Sequence, residues 1–444
     1  MPLFNPAHLD HLSEDVTHEG VTYRLVHIYA EAPDYRVVAD PEEGTSCVDD
    51  VARAAVVFLR HFELTGDEAS RLKAVRLLRF IIYMQTPEGL FYNFVLNRRL
   101  DVNHTHERSR ADDLCWWSCR AVWALGTATR ILADADPEFA RLCAERVKRV
   151  LPHIRKLLDH YPQTDEYLSR TVPRWLVGGD GADATSELLL GLVAFNRVNP
   201  DPDLQAMITK FADGIVLMRY GSMNTFPYGM HASNRDGWHK WGNSQTQALA
   251  EAGILASARL EAEQFFPRLL VEGFLHSVFF DGLHAVTYFE RIAYGIRAVA
   301  VGLVRLYEAT GDERYAQMAG LAASWFTGNN AAGKPIYDPK TGRCFDGLDE
   351  NKQINENAGA ESTIEALYAM LEVEHCPQAL TWLNARAEEP QRISRDGDEF
   401  LQRIFEVREG QTIRRLAIVM NLSQEKLQIL EGQELDHWLA ETTF

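Results

Sequence analysis

Residues 62–74 read FELTGDEASRLKA, and residues 307–319 read YEATGDERYAQMA. In both copies Thr-Gly-Asp joins an apolar segment to a charged, amphipathic one. Glycine is favoured just past a helix end and aspartate just before a helix start. Each copy therefore predicts two antiparallel helices meeting at a tight corner, and a repeated corner is the mark of a fold built from hairpins.

Working outward, segments that are apolar on most faces run over 47–60, 113–131, 184–196, 244–258, 292–307 and 358–372. Amphipathic segments alternate with them over 68–85, 138–159, 203–219, 263–279, 312–327 and 376–386. A helix apolar all round is buried, and an amphipathic one lies at the surface. The alternation predicts an all-α (α/α)6 barrel over residues 1–386, with six inner helices, six outer helices and few strands. A small appendage is expected over 387–444. Inner-to-outer links are short. Outer-to-inner links (86–112, 160–183, 220–243, 280–291 and 328–357) are long and rich in Trp, Tyr, Asn, His, Gly and acids. All of them emerge over the N-termini of the inner helices, and long polar loops on a rigid scaffold are where binding and catalysis sit.

The chain has 444 residues, 46% apolar and 24% charged, enough for one large domain or two. Its formal charge of −18 repels nucleic acid and anionic membranes. Six cysteines without a CxxC pair read as reduced thiols and point to the cytoplasm. Neither a leader nor an apolar run of roughly 18 residues stands out. With no GxGxxG, GxxxxGK[ST] or GxSxG, nucleotide cofactors and esterase chemistry lapse. NHTHE (103–107) offers only His104, His106 and Glu107, a weak metal pattern, and no metal is expected. Cys115 and Cys119, four apart on one helix, read as packing.

The first inner helix opens with GTSCVDDVARAAVVFL (44–59). With Ser46 as its cap, Asp49 closes a capping box, and Asp50 faces elsewhere with no capping duty. Asp112 before Trp116, Asp183 before Glu187 and Asn357 before Glu361 repeat the layout. Carboxylates converging at one end of a helical cavity, ringed by Trp and Tyr, suit a sugar. Glycoside hydrolysis needs one protonated carboxyl and one carboxylate, and burial beside like charge separates the two. RDGWHKWGNSQTQA (235–248) adds His239, Trp241, Asn243 and Gln245, and YFERIAYG (288–295) adds Tyr288, Glu290, Arg291 and Tyr294. Trp116 and Trp117 serve either core packing or stacking on a ligand, and Glu290 and Arg291 serve either the site or ion pairs.

SCVDDVARAAVVFLRHFELTGD (46–67), CWWSCRAVWALG (115–126), DGWHKWGN (236–243) and especially YDPKTGRCFDGLDENKQINENAGAESTIEAL (337–367) resemble bacterial glycosidase-like proteins of the six-hairpin glycosidase superfamily. The resemblance spans roughly residues 20–385. It implies an (α/α)6 barrel and carbohydrate chemistry, in a fold that also houses epimerases, lyases and phosphorylases. Carried over by motif are Asp49 and Asp50 from the first stretch and Glu361 from the last.

The expected activity is therefore hydrolysis of an oligosaccharide or polysaccharide with inversion, Glu361 acting as acid and Asp50 as base, with Asp113 and Glu290 in reserve. Asp49, Arg53, Trp116, Trp117, His239, Trp241, Asn243, Gln245, Tyr288, Arg291, Asn355 and Asn357 are expected to hold substrate. Sugar epimerisation by histidines, with His231, His239 and His284 in suitable loops, is the alternative, followed by noncatalytic glycan binding and a helical scaffold for protein partners. In the appendage, VREGQTIRRLAIVMNLSQEKL (407–427) resembles the first half of a LysM module and also a helix-turn-helix segment.

Overall fold

The computed structural model describes residues 2–282 and 286–442, without the side chains at 409 and 442. At both Thr-Gly-Asp corners the glycine takes a left-handed conformation, φ 72° at Gly66 and 70° at Gly311. Thr65 donates its hydroxyl to the His61 carbonyl at 2.6 Å and accepts the Asp67 amide at 3.2 Å. Thr310 does the same with Leu306 and Asp312 at 2.6 and 3.2 Å. Asp67 and Asp312 then cap the next helices by accepting the amides of Ser70 and Arg314.

The inner helices are Val48–Thr65, Trp116–Ile131, Ala182–Val198, Gln245–Glu251, Ala293–Thr310 and Ala360–Glu374. Each packs on the next in chain order, and the sixth packs against the first. The second and third approach backbone to backbone. A Cβ on Gly126 would meet the Gly191 carbonyl at 2.2 Å, and one on Gly191 would meet the Val122 carbonyl at 2.5 Å. The outer helices are Glu68–Tyr83, Pro137–Leu157, Pro202–Leu217, Leu255–Gln264 with Phe266–Glu272, Glu313–Ala323 and Pro377–Trp382.

The fourth hairpin departs from the expected bounds. Its inner helix stops at Glu251 because Gly253 turns left-handed (φ 79°), so the outer helix begins at Leu255 rather than 263. That outer helix breaks before Pro267, which has no amide proton to continue the ladder. Residues 277–279, expected to be helical, pair as a strand with Gly237–His239.

The expectation of few strands is also corrected. The long links fold as short hairpins, among them Thr164–Tyr167 with Arg170–Pro173 and Arg219–Ser222 with Thr225–His231. Before the first inner helix stand two further hairpins, Ser13–His18 with Val21–Val26 and Tyr29–Glu31 with Arg36–Val38. Strands this short carry too few residues for alternation to be read.

The C-terminal part is a five-stranded antiparallel sheet, from Arg386–Ala387 to Lys426–Glu431, followed by the helix Gln433–Thr442. The helix-turn-helix reading is overturned, since Thr412–Asn421 is a strand paired along its length with Asp398–Glu409. Alternation splits its faces. Phe400, Ile404, Ala417 and Val419 pack on Leu435 and Trp438 of the terminal helix, while Leu401, Phe405, Leu416, Ile418 and Met420 join the main core.

Candidate active site

The N-caps of four inner helices differ by one to three residues from those the sequence suggested, three of them later and one earlier. Cys47, Cys115, Gly181 and Gly359 are the caps, not Ser46, Asp112, Asp183 and Asn357. Ser46 instead accepts the Val26 amide, and Asn357 accepts the Ala32 amide. This register places Asp49, Asp183 and Glu361 two residues past their caps, where the helix dipole favours an acid. Arg53, Glu187 and Glu365 follow one turn further on, on the same face.

The capping box at the first inner helix is therefore made by Asp50 and not by Asp49. The Asp50 amide donates to Cys47 Sγ at 3.4 Å, and the thiol donates back to Asp50 Oδ2 at 3.2 Å. Asp50 Oδ1 receives Arg53 Nη2 at 2.5 Å. The residue expected to be free for catalysis thus has both oxygens engaged and is 3% exposed. Asp49 receives Arg120 at 2.7 Å and Asn93 at 3.0 Å.

Three arginines on the inner helices tie these acids together. Arg53 reaches Glu365 at 3.0 Å and Glu361 at 3.4 Å. Arg297 donates to the far side of Glu365. Arg120 reaches Glu187 at 2.8 Å and the Tyr294 hydroxyl at 2.5 Å, and that hydroxyl donates to Glu187 at 2.9 Å. The guanidinium of Arg120 also lies over the Trp116 ring at 4.8 Å. Such buried charges persist only when all are paired, and removing one partner of a buried pair costs roughly 3–5 kcal/mol.

Above this network opens a cavity of about 380 Å³, lined by Asp49, Asp50, Arg53, Arg120, Trp241, Tyr294, Asp346 and Glu361, with Tyr29, Glu43 and Arg108 among its other walls. Six of the sequence-selected residues, Asp49, Asp50, Arg53, Trp241, Tyr294 and Glu361, therefore share one cavity. Glu361 remains 41% accessible inside it. Its Oε1 has no protein partner among the described residues. Burial within the barrel raises the Glu361 carboxyl above its usual range, while Arg53 opposes the rise.

Asp346 received no assignment from the sequence. Its Oδ1 accepts the Ser362 hydroxyl at 2.6 Å and the Gly359 amide at 3.1 Å, and its Oδ2 has no partner among the described residues. Burial raises this carboxyl too, and the nearby charge of Glu290 adds to the rise. At the rim Tyr29 donates its hydroxyl to Glu43, which Arg108 also binds, and the rings of Tyr29 and Trp241 are each 42% exposed.

The other selected residues stand apart from the cavity wall. Asp113 is exposed, and its carboxylate accepts the neighbouring Leu114 amide. Trp117 donates to the Phe91 carbonyl at 2.7 Å. Glu290 holds Lys240 at 3.5 Å, and Lys240 lies 4.8 Å over the Trp241 ring. Asn243, at φ 66°, accepts the Ser233 hydroxyl, and Gln245 donates to the Ala232 carbonyl, so both shape the link that carries Trp241. Tyr288 is half-exposed, and Arg291 lies over Phe289 and donates to the Tyr288 carbonyl. Asn355, on an exposed strand, accepts the Asn357 amide.

Of the histidines, His231 is fully buried between Ser257 and Glu261, and His239 pairs with Asp183 at 3.0 Å. His284 lies outside the described residues. His104 meets Tyr92 edge to face, and His106 meets Phe94 edge to face and accepts the Arg108 amide. Among the described residues no group of three His, Cys, Asp or Glu side chains is placed to hold a metal ion. No described helix is long and apolar enough to cross a membrane.

The architecture is similar to that of solved sugar epimerases and isomerases. The likeness is closely shared with three solved structures in particular. Cellobiose 2-epimerase from Bacillus thermoamylovorans B4167 matches with a TM-score of 0.59 at 12% identity, over 83% of this chain and 95% of that one. Cellobiose 2-epimerase from Spirochaeta thermophila DSM 6192 gives 0.57 at 13%, over 81% and 90%. A D-mannose isomerase gives 0.53 at 14%, over 78% and 91%. At these identities the likeness is one of fold. Compared by sequence, the chain matches no family model and no curated protein.

Proposed function

We propose that the chain forms a closed (α/α)6 barrel that hydrolyses a neutral glycan, with Asp346 as general acid and Glu361 as general base. The observation that carries this reading is the presence of two carboxyls in one cavity, each with an oxygen left unbound by the described residues, in unlike surroundings. Among the described residues no arginine or lysine holds Asp346, and its protonated form is favoured. Arg53 lies 3.4 Å from Glu361 and favours the ionised form. Burial raises both carboxyls, and only Glu361 has a cation beside it to oppose the rise, which makes Asp346 the better proton donor of the two. This division replaces the one expected from sequence, in which Glu361 was the acid and Asp50 the base, because Asp50 is occupied by Arg53 and Cys47. Trp241 and Tyr29 offer ring faces to a pyranose. The cavity's surplus of acids disfavours uronates and sugar phosphates.

The second reading is epimerisation or isomerisation of a sugar, favoured by the names of the structural neighbours above. Its weakness here is that the cavity wall carries no histidine among the described residues. Incubation with a panel of neutral oligosaccharides, followed by NMR of the products, separates the two readings. Hydrolysis releases a new reducing end, whereas epimerisation changes the sugar without shortening the chain. Products of unchanged length would overturn the hydrolase reading.

A further inference from the structure

Beside the main cavity lies a second hollow of about 240 Å³, walled by the Tyr29–Val38 hairpin and the end of the last long link. The two hollows share Tyr29, Asp346 and Gly359, so Asp346 stands at the seam between them. Tyr29 is fixed at that seam, since its hydroxyl donates to Glu43 at 2.8 Å. Beyond the seam the wall presents Glu31, Asp40 and Asn357, hydrogen-bond acceptors suited to the hydroxyls of a neutral molecule.

Resting on the hydrolase reading, we infer that this second hollow is the subsite for the leaving sugar, so that the substrate is at least a disaccharide whose glycosidic bond crosses the seam beside Asp346. An acid must stand at the oxygen joining the departing unit, which is where Asp346 lies. Glu361 lines only the inner hollow and faces the unit that is attacked by water. In the step, the Asp346 proton passes to the leaving oxygen as its bond to the anomeric carbon breaks. Water then forms the new bond to that carbon and gives its proton to Glu361. Each round consumes one water and leaves both carboxyls with their protons exchanged, to be reset by solvent. The second hollow also gives physical purpose to the N-terminal hairpin, which Asn357 anchors to the last link.

The test is Ala39→Trp, which fills the second hollow from an exposed position on its wall. Glucobioses and mannobioses of each linkage, with glucose and mannose as controls, are titrated against both proteins by calorimetry. The expected result is at least one disaccharide that binds the native protein about tenfold or more tightly than its monosaccharides, with that advantage lost in the variant and monosaccharide binding unchanged. Equal disaccharide affinity in both proteins would overturn the subsite while leaving the hydrolase reading standing. Binding of none of these sugars by the native protein would remove both. Should Ala39→Trp unfold, Pro41→Trp narrows the same hollow from another exposed position and reads the same difference.

Discussion

Arg53 and Asp50 are locked together at 2.5 Å, and the same guanidinium nitrogen lies 3.4 Å from Glu361. One arginine thus joins the helix cap to the cavity floor. Arg53→Met would leave Asp50 without a cation and Glu365 with Arg297 alone, at a cost of roughly 3–5 kcal/mol. Arg53→Lys is expected to recover only part of this, because a compact ammonium cannot fork among three carboxylates. Chemical denaturation of the two variants measures the difference. Equal stability of Arg53→Met and the native protein would show that the network does not hold the fold.

Asp346 makes stability depend on pH in a defined direction. Its native value lies above the ordinary carboxylate range, so between about pH 3.9 and that value the folded protein binds more protons than the unfolded chain. Stability from this group is then full at acid pH and falls as pH rises through the window. Asp346→Asn removes the titration and keeps an acceptor for Ser362 and Gly359. The variant is expected to melt higher than the native protein at pH 7 and together with it below about pH 4. A gap that is the same at both pH values would place the native carboxyl at its ordinary value.

The two Thr-Gly-Asp corners should yield matching losses. Asp67→Ala and Asp312→Ala each remove a cap worth about 1 kcal/mol. Asp67 engages Ser70 and His61 while Asp312 engages Arg314, so the two have no partner in common and the double variant is expected to lose the sum to within about 0.5 kcal/mol. Thermal unfolding of the three variants measures this, and a double loss well short of the sum would show that the corners are coupled.

Trp241 combines an exposed ring with a place on the cavity wall. Trp241→Ala is expected to raise KM about tenfold with a smaller change in kcat, since a stacking ring binds ground and transition states alike. A fall confined to kcat would assign the ring to the chemistry instead.

The fold was largely legible because burial and helical period act together, as in the apolar segments around Arg53, Arg120 and Arg297. The fourth hairpin was misread because Gly253 ends a helix inside an otherwise helical run. The C-terminal sheet was not read from the sequence because Arg414 and Arg415 interrupt an alternation that emerges only when Thr412–Asn421 is seen against its partner strands. For the site, acids near the inner N-termini were visible, but their duties depend on caps that shift by one to three residues. Asp50, and not Asp49, joins the cap of the first inner helix for that reason. The missed partners had a readable sign: an arginine in the middle of an apolar helix demands carboxylates around it. Asp346 had none, since only the folded link brings it to the cavity.

The central claim is that Asp346 and Glu361 carry the reaction while Asp50 carries structure. It is tested most directly by the turnover of Asp346→Asn, Glu361→Gln and Asp50→Asn on whichever oligosaccharide the native protein hydrolyses, with circular dichroism as the check on folding. Asp346→Asn and Glu361→Gln are expected to lose two or more orders of magnitude, roughly the worth of a general acid or base, with native spectra. Asp50→Asn is expected to lose stability and to keep its turnover within about tenfold wherever it is folded. Near-native turnover in Asp346→Asn, or a well-folded Asp50→Asn that is inactive, would contradict the account.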